Sequence, residues 1–216
     1  MDNKEVLDLV EYVFQTIKEA ETIAQVENIF DHHIAVKMKE NRMDEETYPQ
    51  LHFKITAEEL IETNFLTDEN TFTKEISSLE LPPLTKLLYA ICWKNGDLKK
   101  VKHIIQGITA NHTDIDDKND GLVFYQFGKY LTKKDGEPII DQHVLRAYAI
   151  FESDKSDYNI DRIRKKSIIN KNDKTLIDSY KNWLATGLKT ELRNNKDYCY
   201  YIDKLLFALG KTIKAK

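Results

Sequence analysis

The chain has 216 residues, 41% of them hydrophobic and 10% aromatic, which supplies apolar surface for a folded core and excludes a disordered chain. Only seven glycines and four prolines, with no regular alternation of apolar and polar residues, exclude a strand-rich fold and point to an all-α, multi-helix globular body. The net charge of −4 conceals a balance of −12 over residues 1–80 and +8 over residues 81–216, and two cysteines are too few for a disulfide framework, a four-thiolate metal site or an iron–sulfur cluster.

Met1-Asp2-Asn3-Lys4-Glu5 is acidic and leads straight into an amphipathic segment, so neither a secretory signal nor a transit peptide is expected. No apolar run approaches the roughly eighteen residues of a membrane span. The expectation is a soluble, cytoplasmic protein with no membrane partner. Val6, Leu9, Val10, Val13, Phe14 and Ile17, then Ile23, Val26, Ile29, Phe30 and Ile34, fall on helical spacing and predict one long or two consecutive helices from Lys4 to about Met38. His32 and His33 point about 100° apart on a helix, so a surface or packing role is expected, and no metal site. Residues 39–50 form a polar connection. Thr56 followed by Glu59 has the capping-box spacing and opens a short helix carrying Leu60, Ile61 and Phe65, with Thr67 to Thr73 loop-like.

Leu81-Pro82-Pro83 is the firmest break in the first half and coincides with the charge reversal, which divides the chain into an acidic helical subdomain, 1–80, and a basic main body, 81–216. Leu84, Leu87, Leu88, Ile91 and Cys92 predict a strongly apolar helix. Asn95-Gly96 stops it with glycine left-handed, Asp97 is placed to cap the next helix through Ile108, and so short a turn predicts that the two helices pack as neighbours. Residues 109–120 read as a solvated loop. A helix over Leu122–Leu131 follows, with Phe124, Phe127 and Leu131 on one face.

Gly136 and Pro138 then break the chain, and Asp141 stands at the N-cap of a helix whose Val144, Ala147, Tyr148 and Phe151 recur at i, i+3, i+4 and i+7. That face turns inward, and Arg146 is expected on another. Arg162, Arg164, Lys165 and Lys166 form a basic cluster that suits phosphate contacts or a solvated face. Thr175–Leu188, with Tyr180, Trp183 and Leu184, and a last segment with Tyr200, Tyr201, Leu205, Leu206 and Leu209 complete the helices. At least one of Tyr198, Tyr200 and Tyr201 is expected in the core, as are Cys92 and Cys199.

Pro138-Ile139-Ile140-Asp141-Gln142-His143-Val144-Leu145-Arg146 resembles the segment holding the catalytic aspartate of helix-hairpin-helix DNA glycosylases, in which the order is apolar, Asp, any, His, apolar, any, Arg. The resemblance implies a glycosylase-like, two-lobed helical fold, double-stranded DNA as partner, and Asp141 as the residue that stabilises positive charge on deoxyribose as the base leaves or helps to activate the attacking nucleophile. It also implies a pocket for the flipped base, with Tyr89, Trp93 and Tyr125 the nearest candidates, and backbone contacts from Arg162, Arg164, Lys165 and Lys166. The family's Leu-Pro-Gly-X-Gly hairpin is replaced by residues 119–128, and Val123 stands where bifunctional members carry a Schiff-base lysine. The implied chemistry is therefore monofunctional, with water as nucleophile and no cofactor. The alternative is a non-enzymatic helical scaffold or adaptor that binds a protein through its acidic first 80 residues, with Asp141 a structural cap.

Overall fold

The computed structural model describes residues 1–46, 48–61, 80–110 and 121–215. Among them the regular elements are helices and no strand occurs, as the composition implied. The predicted loop at Thr67–Thr73, Phe65, and most of the loop predicted over 109–120 lie outside the described residues.

The chain divides into two compact units, residues 1–52 with 135–216 and residues 53–134. The acidic and basic stretches are therefore each shared between the units, and the charge reversal at Pro82-Pro83 falls inside the second. Opposite charges pair within the first unit instead: Lys155 with Glu11 (3.5 Å), Lys189 with Glu21 (2.7 Å) and Lys204 with Glu45.

In the first unit, α1 (Asn3–Glu19) is opened by a capping box between Asp2 and Glu5 and buries Val6, Leu9, Val10, Val13, Phe14 and Ile17. After α2 (Ile23–Glu27) the predicted helix tightens into 3₁₀ turns at Asn28–Asp31 and His33–Asn41, broken by the extended His32. The His32 ring stacks on Tyr12 at 4.5 Å and meets the His33 ring at a tilt at 4.2 Å. The unit continues through α7 (Gln142–Glu152), α8 (Asp157–Lys165), a 3₁₀ turn at Lys171–Asp173, α9 (Lys174–Thr186), α10 (Thr190–Arg193) and α11 (Tyr198–Thr212). Its core is aromatic. Phe14 of α1 stacks on Phe151 of α7 at 4.2 Å and meets Trp183 of α9 at 5.2 Å, while Tyr148 meets Tyr180 at 5.1 Å. Each such pair adds roughly 0.5–1.5 kcal/mol beyond the area it buries. Tyr198, Tyr200 and Cys199 are buried.

In the second unit, Thr56 and Glu59 form the expected capping box on α3 (Ala57–Ile61), with Thr56 N–H donating to Glu59 at 2.7 Å and Glu59 N–H to Thr56 Oγ1 at 3.3 Å. Next comes α4 (Pro83–Lys94), which stops at Gly96 with φ +71°, as expected. Asp97, by contrast, does not cap α5 (Leu98–Thr109): its own backbone is helical and its carboxylate pairs with Lys100. Nor does α5 take α4 as its main neighbour. It packs on α6 (Leu122–Leu131) through two glycines, because a Cβ on Gly107 would lie 2.0 Å from the Tyr125 carbonyl and one on Gly128 2.0 Å from that of Ile104. That close crossing rotates Tyr125, Gly128 and Leu131 inward and leaves Phe124 and Phe127 half-buried, unlike the face expected from hydrophobicity. Meanwhile α4 buries none of its residues; Leu84 and Trp93 are each 66% exposed.

Candidate functional site

The segment that delivers Asp141 is held from two sides. Gly136, at φ +78°, turns the chain, and Glu137 pairs with Lys181 of α9 at 2.8 Å. Pro138 contributes no N–H, so the next donor is Ile139, whose N–H reaches Asp203 Oδ2 of α11 at 2.6 Å. Ile140 is buried beside it. Asp141 itself is extended, as an N-cap requires, and its Oδ1 accepts the N–H groups of His143 (2.6 Å) and Val144 (2.9 Å). Oδ2 takes part in no hydrogen bond among the described residues. One carboxylate oxygen is consumed by the helix and the other is left over.

Three and five residues from the cap, Val144–Arg146 turn a different face inward than expected for the cation. Arg146 is 1% exposed, not carried on an outer face. Its Nη1 donates to the carbonyl of Gly210 at 2.9 Å and lies 2.8 Å from His143 Nδ1, while Nη2 donates to the carbonyl of Lys166. A guanidinium only donates, so His143 Nδ1 accepts and the ring is neutral. Burial pushes the His143 pKa down, opposed by Asp141 and reinforced by Arg146. The crossing that brings Gly210 so near depends on its lacking a Cβ, which would sit 1.9 Å from the His143 carbonyl. Arg146 thereby fastens α7 to the last turn of α11 and to the chain leaving α8.

Asp203 is 4% exposed, and burial pushes its carboxyl well above the usual range. Oδ1 accepts from Tyr180 O–H at 2.6 Å, and Tyr148 O–H and Ser179 Oγ lie 2.9 Å apart. Ser179, Tyr180 and Lys181, consecutive on α9, thus reach α7, α11 and the 136–141 segment respectively. Sequence reading passed over Asp203, although a signal existed: with Cys199, Ile202, Leu206, Leu209 and Gly210 it lies on one helical stripe, and a lone carboxylate in an apolar stripe is a buried polar group that needs partners.

The basic cluster splits in two. Arg162 and Lys165 are exposed on α8, Arg162 donating to Asn159 Oδ1 at 3.2 Å and lying in the field of Asp154. Arg164 is spent on the fold, donating to the carbonyls of Ile213 (2.9 Å) and Met1 (2.9 Å) and to Asn3 Oδ1 (2.8 Å), and Lys166 pairs with the buried Asp173. Beside them a cleft of about 370 Å³ mixes Arg162 and Lys166 with Glu152, Asp154 and Asp173. Carboxylates therefore interrupt the positive charge there.

The aromatic candidates belong to the second unit: Tyr125 is buried in the α5–α6 pair, Tyr89 is half-buried on α4 and Trp93 is exposed near its end. Asp141 and the α8 cations belong to the first. Comparison of the chain with protein-family models, with characterised proteins and with solved structures finds no match.

Proposed function

We propose that the protein binds duplex DNA and releases a base from it in the manner of a monofunctional helix-hairpin-helix glycosylase, with Asp141 as the charge-stabilising residue. The observation that carries this reading is the division of labour between the two oxygens of Asp141. Oδ1 is saturated by two helix amides, which fixes the side chain at the positive end of α7, and Oδ2 remains for a cation. Breaking a base–deoxyribose bond develops oxocarbenium character on the sugar, and a carboxylate oxygen fixed nearby stabilises it without having to reorganise. The neutral His143 ring adds no opposing positive charge. The close α5–α6 pair stands in chain order where a helix-hairpin-helix precedes the aspartate helix, and Arg162 and Lys165 are the two cations of the α8 cluster left to meet phosphates.

Release of bases from duplexes carrying a panel of lesions, by the wild type and by Asp141→Asn, tests the proposal. Asparagine keeps the cap and removes the charge, so the rate should fall by a factor of hundreds while thermal stability holds. No release by the wild type, or equal release by both proteins, defeats the catalytic assignment.

The exposed face of α4 favours a second reading, an adaptor whose binding surface is α4 rather than the acidic first 80 residues. Leu84, Leu87, Leu88 and Ile91 form one outward stripe, and the helix's only charges are Lys86 and Lys94, so the fitting occupant is a partner helix with apolar and acidic side chains. Titration with an acidic amphipathic peptide should shift the emission of Trp93 to the blue. Unchanged emission at millimolar peptide rejects this reading.

A further inference from the structure

Burying a carboxyl is costly unless every acceptor finds a donor, and Asp203 is the carboxylate of the α11 stripe that meets this condition in full. Its two oxygens divide between two elements: the backbone of the segment entering the Asp141 cap, through Ile139 N–H, and the side chain of Tyr180 on α9. Ile139 is two residues from Asp141. Between them only Ile140 intervenes, itself locked in the core. The N-cap conformation of Asp141 is set by the backbone that leads into it, and that backbone has a hydrogen-bonded anchor on Asp203 at Ile139, with the Glu137–Lys181 pair holding the start of the same segment.

We infer that Asp203 is the positioning residue of the Asp141 site, holding Pro138–Ile140 through the Ile139 N–H so that Asp141 presents Oδ1 to the helix and Oδ2 outward. The inference rests on the catalytic reading of Asp141 for its consequence in rate, while the mechanical link it asserts is independent of any activity. Tyr180 completes the device. Its hydroxyl fixes the rotation of the Asp203 carboxyl, and the ring is wedged between Tyr148 and Trp183. Asparagine at 203 can turn its carbonyl oxygen to Ile139 and its amide to the Tyr180 oxygen, preserving both bonds. Valine, of similar size, preserves neither.

The test is amide hydrogen exchange by NMR on the full chain, combined with steady-state base release. The His143 and Val144 amides depend on Asp141 for their only partner, whereas Ala147 to Ile150 depend on the helix ladder. In Asp203→Val, exchange at His143 and Val144 should quicken at least tenfold with Ala147–Ile150 unchanged, and kcat should fall at least tenfold with KM for the lesion duplex within twofold. Asp203→Asn should restore both properties to within threefold of the wild type. Unchanged exchange at His143 and Val144 in Asp203→Val overturns the inference whatever the activity shows, and a uniform rise along the helix overturns it too, because that marks a fold-wide role. If Asp203→Val does not fold, Tyr180→Phe carries the same test with at least a threefold selective rise expected, and no rise there overturns the inference. A wild type without base release defeats the catalytic reading alone, since the exchange result stands apart from it.

Discussion

Leu84, Leu87, Leu88 and Ile91 of α4 recur at the same spacing as Val144, Ala147, Tyr148 and Phe151 of α7, yet the first four face solvent while Val144, Ala147 and Tyr148 are buried and Phe151 stacks on Phe14. Both sets are one stripe of a helix. What separates them is what the rest of the chain brings up to the stripe: α1, α9 and α11 close over α7, and α5 turns away to pack on α6 rather than on α4. Apolar periodicity determines which side chains share a face. It does not determine whether that face finds a cover.

The largest difference between the two helices should appear on truncating a ring. Tyr148→Ala removes a side chain in contact with Phe14, Phe151, Tyr180 and Trp183, and should cost about 3–5 kcal/mol in urea denaturation. A loss under about 1 kcal/mol would erase the distinction from α4. Next comes the cap, which α4 lacks as a side-chain bond and α7 has. Asp141→Ala should cost about 1 kcal/mol, and Asp141→Asn only a few tenths, by the same measurement.

A smaller effect sharpens the contrast through pH. Burial holds the folded pKa of His143 below its unfolded value, so the stability this contributes is present above the unfolded value of about 6.5 and is lost as pH falls through the folded value. His143→Gln should therefore lose less stability than the wild type between pH 7.5 and pH 5, and equal losses would show that the ring is not held neutral by the fold. The smallest change belongs to α4. Leu88→Ala should alter stability by no more than about 0.5 kcal/mol, since no core contact is lost, and a cost of several kcal/mol would mean that its stripe is covered after all.

Much of both units was legible in residue order where the signals are local. The N-cap at Asp141, the Thr56–Glu59 capping box and the left-handed Gly96 each depend on a few neighbouring residues and their backbone geometry. Hydrophobicity favours Phe124 and Phe127 for the inner face of α6, while the side that packs closely is the one bearing Gly128, which only its partner Gly107 reveals. The basic cluster was likewise legible as composition, and only the fold assigns Arg164 to the chain's first and last segments and leaves Arg162 and Lys165 outside.

The sequence by itself determined that the chain is helical, where most helices begin, and that Asp141 caps one of them, since propensity, caps and breakers act within a turn or two. Tertiary structure alone decided that Arg146 is buried, that Asp203 reaches Ile139 across 64 residues, and that the apolar stripe Leu84, Leu87, Leu88 and Ile91 of α4 is exposed. Those outcomes depend on long-range partners. A charged side chain enters a core only where distant carbonyls or amides satisfy it, and nothing in the residues beside Arg146 or Asp203 announces Gly210, Lys166 or Tyr180.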